Sequence, residues 1–538
     1  MMRQGQTRAA VRRSGKFVAM ALSVAVAAVE VHGATLPLGQ VRPCYPRNVL
    51  IAVTGVLAAL GVAAEKKESF FMALVPAPQK MSVTDGTFTK CRAVTYARDA
   101  KIPAEGYRLK VEADSIKVWS SDAAGRFYAD ETLKQLAENG RIPLVEIEDA
   151  PRFPWRGILL DESRHFFGKE TLKRTLDQMA WHKLNVLHWH LVDDQGWRLD
   201  IPGYPELVKY GAVRPESVRH GDRSQTNGVR YGPHYYAEQD VKDILAYAAA
   251  RHIKVVPEIE LPGHVYAVLA AYPELACHPG HLAKRTPRIM WGIEKDVLCL
   301  GNDNAIKFLE DVLDYVCQIF PSDVIHIGGD ECPPDMWKTC PKCQARIKAL
   351  GLKDEHDLQP WVTRHFLAFL AKRGKRALGW EEYLLGDVPK DAIGMSWRAG
   401  VGGAGHKFMS PAECVKLGHD VVMTPRTHCY LDYGQGLEGD PFEYIGGCVT
   451  LEKAYEFDPC EGIPAELRSH ILGGQGNNWS AYTWNEYDLA WKMWPRMCAL
   501  AEVFWLGEAK PGYADFKARV QAHRKRLVAQ NVNCAPIQ

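Results

Sequence analysis

The 538-residue chain carries little net charge, because 66 Lys and Arg residues stand against 64 Asp and Glu residues, which leaves +2. It therefore has no excess of positive charge that would attract nucleic acid, and it has no acidic tail. No glycine-rich phosphate loop follows a first strand, which weakens a nucleotide-binding open sheet. Low-complexity tracts are also missing. Apolar residues make up 47% of the chain. The composition therefore indicates a large folded protein with a full hydrophobic core.

The fourteen cysteines lack the spacing of a complete zinc motif. Cys340-Pro-Lys-Cys343 supplies one close pair, and Cys332 lies nearby, but a second close pair is missing. This spacing favours a structural disulfide or free thiols over a zinc site, and it gives little support to redox catalysis. Disulfides are permitted if the protein is exported.

Two apolar stretches near the N-terminus, residues 17–32 and 49–64, each follow basic residues. Their lengths suit a secretory signal better than a full membrane span. We therefore expect residues 1–64 to be a signal or targeting region, with 48–64 as the working signal and the translated start placed too far upstream. The mature protein would then be periplasmic or extracellular, without a membrane span. A two-pass N-terminal anchor is the alternative.

The rest of the chain divides into a small domain, a large domain and a tail. Residues 71–150 predict a small α+β domain, with strands near 89–97, 106–112 and 115–119 and a helix near 125–139. A proline-punctuated junction, Asp149-Ala-Pro-Arg-Phe-Pro-Trp155, follows it. We expect the catalytic unit over 151–510 and a C-terminal helix and tail over 511–538.

Short apolar strands alternate with helical segments after the junction. The strands are expected at 157–161, 185–192, 253–259, 324–328, 376–380, 393–397, 420–424 and 470–474. The helices between them include 169–182, 238–251, 304–319 and 358–373. This rhythm predicts the α/β class and a (β/α)8 TIM barrel preceded by the small domain. A doubly wound open sheet is the competing architecture.

Residues 324–331, Val-Ile-His-Ile-Gly-Gly-Asp-Glu, are the most informative stretch of the sequence. A buried parallel strand ends in two glycines and two carboxylates, Asp330 and Glu331. The glycines remove side chains where another group must approach the backbone. Paired carboxylates at a strand end suit acid–base or glycosyl chemistry, whereas the bland alternative is a solvated pair that opens a helix.

Polar and aromatic residues also follow the other expected strands, where a TIM barrel places its active site. They are Asp161, Arg164 and His165; His188, His190, Asp193 and Asp194; Glu258, Glu260 and His264; Trp380; Trp397; Tyr430 and Asp432; Asn478 and Trp479.

In this order the residues resemble the family 20 glycoside hydrolases, the β-N-acetylhexosaminidases, over about residues 71–510. The matching motifs are Arg156-Gly-Ile-Leu-Leu-Asp-Glu-Ser-Arg-His165, Asn185-Val-Leu-His-Trp-His-Leu-Val-Asp-Asp-Gln-Gly-Trp197, Pro257-Glu-Ile-Glu-Leu-Pro-Gly-His264, His326-Ile-Gly-Gly-Asp-Glu331, Gly379-Trp-Glu-Glu382, Tyr430-Leu-Asp432 and Pro495-Arg-Met-Cys-Ala-Leu-Ala-Glu502.

The resemblance implies a substrate-assisted retaining reaction, an exception to the usual nucleophilic carboxylate. The 2-acetamido oxygen of the substrate attacks C1 and forms an oxazolinium ion. Glu331 would be the acid and later the base, with a raised pKa caused by burial and by the Asp330 charge. Asp330 would orient the acetamido group and stabilise its positive charge, and Tyr430 would donate its hydroxyl to the acetamido oxygen.

The same resemblance implies roles for the remaining residues of the site. His264 and Asp193, with Asp194 as a near-equal candidate, would form a relay that tunes the acid; the alternative is that they are buried core residues. Trp380, Trp397 and Trp479 would enclose the acetamido group. Arg156 and Asp432 would hold sugar hydroxyls, although Arg156 could instead form an ion pair at the barrel mouth.

Two residues depart from the family pattern. Glu260 stands where Asp is common, which should matter little. Ala481 stands where many relatives have a Glu that binds sugar hydroxyls, and we expect Glu486 to replace it from a shifted loop. The implied activity is exo-release of β-linked GlcNAc or GalNAc from a glycan, without cofactor or metal. The alternatives are a weakened carbohydrate-binding relative and an enzyme that releases a disaccharide such as lacto-N-biose. The oligomeric state is not indicated.

Overall fold

A computed structural model describes residues 73–88, 94–137, 140–220, 222–282, 285–398 and 408–538. The expected signal region, residues 1–64, lies outside these ranges. Among the described residues, no helix combines the length and the apolar character needed to cross a bilayer.

The small domain is a five-stranded sheet with one helix on its face. Its elements are β1 Lys80–Phe88, β2 Thr95–Arg98, β3 Tyr107–Val111, β4 Ile116–Ser120, α1 Ala123–Leu136 and β5 Ile142–Asp149. The strands are ordered β1-β5-β3-β4-β2. The sequence missed β1, whose side chains are mostly exposed and give no apolar alternation. It also missed β5, although Val145 and Ile147 alternate with polar residues as a half-buried strand requires.

The predicted barrel is confirmed, because eight parallel strands close on themselves in chain order. They are β6 Trp155–Asp161, β7 Val186–His190, β12 Lys254–Glu258, β13 Val324–His326, β14 Arg376–Trp380, β15 Ile393–Ser396, β16 Asp420–Met423 and β17 Ile471–Asn478. Four short strands lie between β7 and β12: β8 Val192–Asp193, β9 Gly196–Trp197, β10 Val218–Arg219 and β11 Asp222–Thr226. The barrel strands are buried on both faces, as in any parallel barrel, so they read as continuous apolar runs.

Helices surround the barrel and continue to the C-terminus. They are α2 Lys169–Trp181, α3 Glu238–Ala249, α4 Tyr266–Ala271, α5 Asp303–Ile319, α6 Asp335–Thr339, α7 Pro341–Leu350, α8 Leu358–Ala371, α9 Pro411–Lys416, α10 Arg426–Cys429, α11 Leu451–Glu456, α12 Glu486–Met493, α13 Arg496–Leu506 and α14 Tyr513–Ala529.

Helix α5 shows why these segments are helical and which way they face. Asn302 caps its first turn by accepting a hydrogen bond from the Asn304 amide. Its buried residues, among them Leu309, Leu313 and Val316, recur at intervals of three or four and so form one stripe. That stripe packs onto the barrel and leaves the polar face in solvent.

Candidate active site

Asp330 and Glu331 follow β13 and line a single pocket at the carboxyl ends of the barrel strands. The backbone turns there, because Gly328 and Gly329 have φ angles of 61° and 95° and Glu331 has one of 43°. A Cβ at Gly328 would lie 1.8 Å from Glu260 Oε2, so only glycine fits at that position. This left-handed turn, rather than an extended strand, brings two consecutive carboxylates to the same cavity.

The pocket has a volume of about 340 Å³, at the small end of the ~300–1,000 Å³ range of ligand sites. Six aromatic side chains line it: Trp291, Trp380, Trp397, Tyr430, Tyr433 and Trp479. The Trp397 and Tyr430 rings are stacked with centroids 6.2 Å apart, and the Trp380 and Trp479 centroids are 5.7 Å apart. A cavity of this size and lining suits one sugar ring, whose apolar faces pack on aromatic rings.

Hydrogen bonds fix the orientation of two of these tryptophans. The Trp380 indole donates to Glu258 Oε1 at 2.8 Å, and the Trp397 indole donates to Glu382 Oε2 at 3.1 Å. Since indole nitrogen can only donate, these buried carboxylates hold both rings against the cavity. The wall is therefore rigid before any ligand enters.

His264 connects the carboxylates of the pocket to a second pair behind it. Its Nδ1 lies 3.3 Å from Asp193 Oδ1 and 3.2 Å from Asp194 Oδ2. Its Nε2 lies 3.7 Å from both Asp330 Oδ2 and Glu331 Oε2. Burial lowers the pKa of His264, but the Asp193 charge and the other carboxylates outweigh it and raise that pKa well above its usual value. His264 therefore lies between two pairs of acids, and their charges favour its protonated form.

The pKa values of Asp330 and Glu331 are shifted in opposite directions. The shift of Glu331 is the reverse of our expectation that its pKa would be raised. Burial raises the pKa of Asp330 to about 8 against the pull of His264, and the charges of Glu382 and Glu331 add to the rise. Burial also raises the pKa of Glu331, but the hydrogen bond and charge of His264, together with Arg398 and Arg164, hold it below its usual value.

Two arginines at the pocket add to the effect of His264 on the pKa of Glu331. An Arg164 Nη atom lies 2.5 Å from Asp193 Oδ2, and the Arg164 guanidinium lies 5.1 Å from the Trp479 ring. Arg398 pairs with Glu382 at 2.5 Å and approaches Glu331 Oε1 at 4.0 Å. The sequence singled out Arg164 by its position after a strand but gave it no role, and it missed Arg398, which follows the end of β15 and carries the same signal.

Arg156 does not reach the pocket, so its assignment to sugar hydroxyls is wrong. It is the second residue of β6, at the opposite end of the barrel, and its side chain is fully buried. Its guanidinium donates to Glu105 at 2.6 Å and to Tyr128 OH at 3.0 Å, both in the small domain. Arg164, three residues past the carboxyl end of the same strand, is the arginine that lines the cavity.

Glu486 is likewise misassigned. It begins helix α12, is about two-fifths exposed and pairs with Arg174. It does not line the pocket, so it cannot replace the side chain missing at Ala481, which does. Asp194 is fully buried and accepts from the Tyr266 amide and from His264. It is thus a support for His264 and not a direct contact of the sugar.

Several carboxylate oxygens of the pocket have no hydrogen-bond partner among the described residues. They are Glu260 Oε2, Asp330 Oδ1 and both side-chain oxygens of Asp432. Burial raises the pKa of Asp432 to about 7, although Lys492 and Arg496 oppose the rise. Unsatisfied buried polar groups are costly, so these oxygens are positioned to receive donors from a ligand, such as sugar hydroxyls or an amide N–H.

No two described cysteines form a disulfide. Cys332 lies beside the Glu331 loop, near Gly263, and is separate from Cys340 and Cys343.

Comparison with known proteins identifies relatives of both domains. The model described as glycosyl hydrolase family 20, catalytic domain, matches residues 153–508, and the model for domain 2 of the same family matches residues 89–150. A β-hexosaminidase of Porphyromonas gingivalis is 40% identical over 456 residues, which are 82% of this chain and 56% of that protein. A β-hexosaminidase of Akkermansia muciniphila is 32% identical over 88% of this chain and 94% of its own length.

A solved structure shows the same architecture. It is the exo-β-N-acetylglucosaminidase of Vibrio harveyi in complex with N-acetylglucosamine, which is 29% identical to this chain. The match has a TM-score of 0.75 and covers 86% of this chain and 78% of that one.

Proposed function

Because the chain belongs to glycosyl hydrolase family 20, we propose that it is an exo-acting β-N-acetylhexosaminidase that releases terminal GlcNAc or GalNAc with retention. The observation that carries the proposal is the convergence of Asp330 and Glu331 on one aromatic cavity the size of one sugar. The names of the P. gingivalis and V. harveyi relatives support the same activity.

The first step divides the work between the two carboxyl groups. The acetamido oxygen attacks C1, the bond from C1 to the leaving oxygen breaks, and Glu331 gives its proton to that oxygen. Asp330 accepts the amide N–H and stabilises the positive charge of the oxazolinium ion. The Tyr430 hydroxyl, whose pKa burial raises well above its usual value, stays protonated and donates to the acetamido oxygen.

Substrate contacts favour the protonation states that the first step needs. An amide N–H directed at Asp330 favours its carboxylate form, and the leaving oxygen next to Glu331 favours the acid form. These contacts oppose the directions in which the pocket shifts the pKa values of the two groups. In the second step Glu331 takes a proton from water, the water oxygen bonds to C1 on the face the aglycone has left, and the bond from C1 to the oxazolinium oxygen breaks.

The aromatic wall protects the intermediate. Trp380, Trp397 and Trp479 surround the position of the acetamido methyl and exclude water that would otherwise reach the oxazolinium ion from the wrong side. The small volume also favours release of one sugar over release of a disaccharide.

The test is hydrolysis of matched aryl glycosides. We expect turnover of aryl β-N-acetylglucosaminide and β-N-acetylgalactosaminide, with the β-anomer appearing first by NMR. The aryl β-glucoside, which lacks the acetamido group, should remain intact. Sugar binding without turnover at any pH would instead indicate a carbohydrate-binding relative with a weakened site. A panel that adds 6-sulfated substrates would show how Ala481 affects sugar preference.

We also propose that the protein is exported. The support is the pair of apolar stretches at 17–32 and 49–64, each preceded by basic residues. Cell fractionation combined with N-terminal sequencing of the mature protein tests this; an intact N-terminus embedded in the membrane would contradict it.

A further inference from the structure

Four cysteines far apart in the sequence converge outside the catalytic pocket. They are Cys277, Cys299, Cys340 and Cys343, and their sulfur atoms all lie within 4.8 Å of one another. Cys299 Sγ is 3.6 Å from Cys340 Sγ and 3.7 Å from Cys343 Sγ, and Cys277 Sγ is 3.7 Å from Cys343 Sγ. We propose that this four-thiol group binds a structural zinc ion.

The sulfur spacing matches a tetrahedral metal site. Zinc–thiolate bonds of about 2.3 Å in tetrahedral geometry place the sulfurs about 3.8 Å apart. A disulfide requires about 2.05 Å and one partner for each sulfur. Here Cys299 is nearly equidistant from two thiols, and so is Cys343. An arrangement in which each sulfur has several equal neighbours fits four ligands of one ion better than two disulfides.

The surroundings of the group support thiolate ligands. The Gly301 amide donates to Cys343 Sγ at 3.3 Å, a contact that stabilises a metal-bound thiolate. A Cβ on Gly301 would lie 2.1 Å from the Lys342 carbonyl carbon, so glycine is needed for this approach. Cys343 lies in the first turn of helix α7, which also favours negative charge.

Burial identifies the site as structural. Cys299, Cys340 and Cys343 are at most 1% exposed, and four thiol ligands leave no open position for a substrate. All-sulfur tetrahedral ligation selects zinc or iron, not magnesium or calcium. We assign zinc because it is redox-inactive and because a closed site of four cysteines suits a purely structural role.

The group joins two loops of the active site. Cys277 and Cys299 belong to the long segment after β12, which also carries His264, and Cys340 and Cys343 belong to the segment after Glu331. The Leu298 amide donates to the Pro262 carbonyl at 3.1 Å, and the Trp337 indole donates to the Leu298 carbonyl at 2.8 Å. The ion would thus hold the loop that carries His264 against the loop that carries Glu331. These cysteines are positioning residues.

The sequence obscured this site because its second pair is not close in the chain. Cys332, which the sequence places near the C-x-x-C pair, is outside the four-thiol group, and the missing ligands come from Cys277 and Cys299 on a different barrel loop.

The test is the metal content of the purified full-length protein, measured by elemental analysis without reference to turnover. We expect about one zinc per chain, and near-complete loss of it in Cys299→Ser and Cys343→Ser. Cys317→Ser is the matched control, because Cys317 is half-buried on helix α5 and outside the group, and it should retain the zinc.

Because the variants could fail to fold, cobalt substitution of the wild type gives a second measurement. A thiolate-to-cobalt charge-transfer band and tetrahedral ligand-field bands are expected. A strong chelator should lower the Tm of the wild type, and zinc should restore it. Negligible metal with two disulfides in this group by mass spectrometry would overturn the proposal, and iron in place of zinc would overturn the choice of ion.

Discussion

Replacing Asp330 with asparagine separates the charge of the pocket from its shape. The Asp330 side chain is about one-sixth exposed, and its Oδ1 has no hydrogen-bond partner among the described residues. Asparagine has the same size, so it should enter the same space without displacing Trp380 or Tyr430. What it cannot supply is a negative charge next to the amide nitrogen of the intermediate.

The expected catalytic loss follows from that missing charge. A preorganised group that meets charge developing in the transition state contributes about 2.7–4 kcal/mol, or roughly 10²–10³ in kcat. We therefore expect Asp330→Asn to lower kcat on aryl β-N-acetylglucosaminide by roughly that factor. A thiazoline analogue of the oxazolinium ion should also bind the variant more weakly, because it presents the same nitrogen to residue 330.

The same substitution should stabilise the fold. The carboxyl of Asp330 has its pKa raised to about 8 in the folded protein from its usual value of 3.8. Between those values the folded state holds a proton that the unfolded state has lost. Stability therefore falls as pH rises through this window, by up to about 1.4 kcal/mol per pH unit. Asparagine removes this cost, so the Tm of the variant should exceed that of wild type at pH 7, with a smaller difference at pH 4.

Two results would refute this reasoning. An undiminished kcat in Asp330→Asn would remove the substrate-assisted mechanism. A variant with a lower Tm than wild type across the pH range would show that the carboxylate forms a stabilising contact, contrary to the direction of its pKa shift.

The other substitutions test each role separately. Glu331→Gln should lose about 10²–10⁴ in kcat on a glycan, and much less on an aryl glycoside whose leaving group needs no proton; equal losses on both would contradict its role as acid. Tyr430→Phe should lower kcat by roughly 10²-fold without a change in Tm, because one donor to the acetamido oxygen is removed; a loss expressed only in KM would argue against it. Arg164→Met should raise KM by roughly 10–100-fold through loss of a charged hydrogen bond. Glu486→Gln is its control and should leave the kinetics unchanged; a comparable rise in KM there would restore Glu486 to the sugar site.

The barrel and its catalytic pair were predictable because local signals encode them. Eight apolar runs, each of strand length, alternate with helical segments, and the carboxyl ends of parallel strands must meet at one rim. Gly328 and Gly329 marked the close approach of another chain segment, which is Glu260 in the structure. Periodicity and strand ends were sufficient for these features.

The features that the sequence did not reveal depend on the direction of a strand and on contacts between segments that are distant in the chain. Arg156 and Arg164 lie in the same motif, and only the direction of β6 shows that the first faces the small domain and the second the pocket. The direction of the Glu331 pKa shift was mispredicted because His264, and to a lesser extent Arg398 and Arg164, approach Glu331 from other barrel loops. Strand β1 was missed because its exposed side chains leave no pattern to detect.

Arg156 lies at the end of the barrel that contacts the small domain, and this position has a consequence for how the two domains depend on each other. Arg156 and Lys183, both at most 2% exposed, lie on the barrel, but their partners Glu105 and Asp149 belong to the small domain. Trp505 of the barrel also joins the core of the small domain. Residues 151–538 expressed alone would lose both anions, and the faces of Arg156, Lys183 and Trp505 that the small domain covers would be exposed to water. The small domain therefore completes the base of the barrel, and a chimaera that exchanges barrels should carry it along.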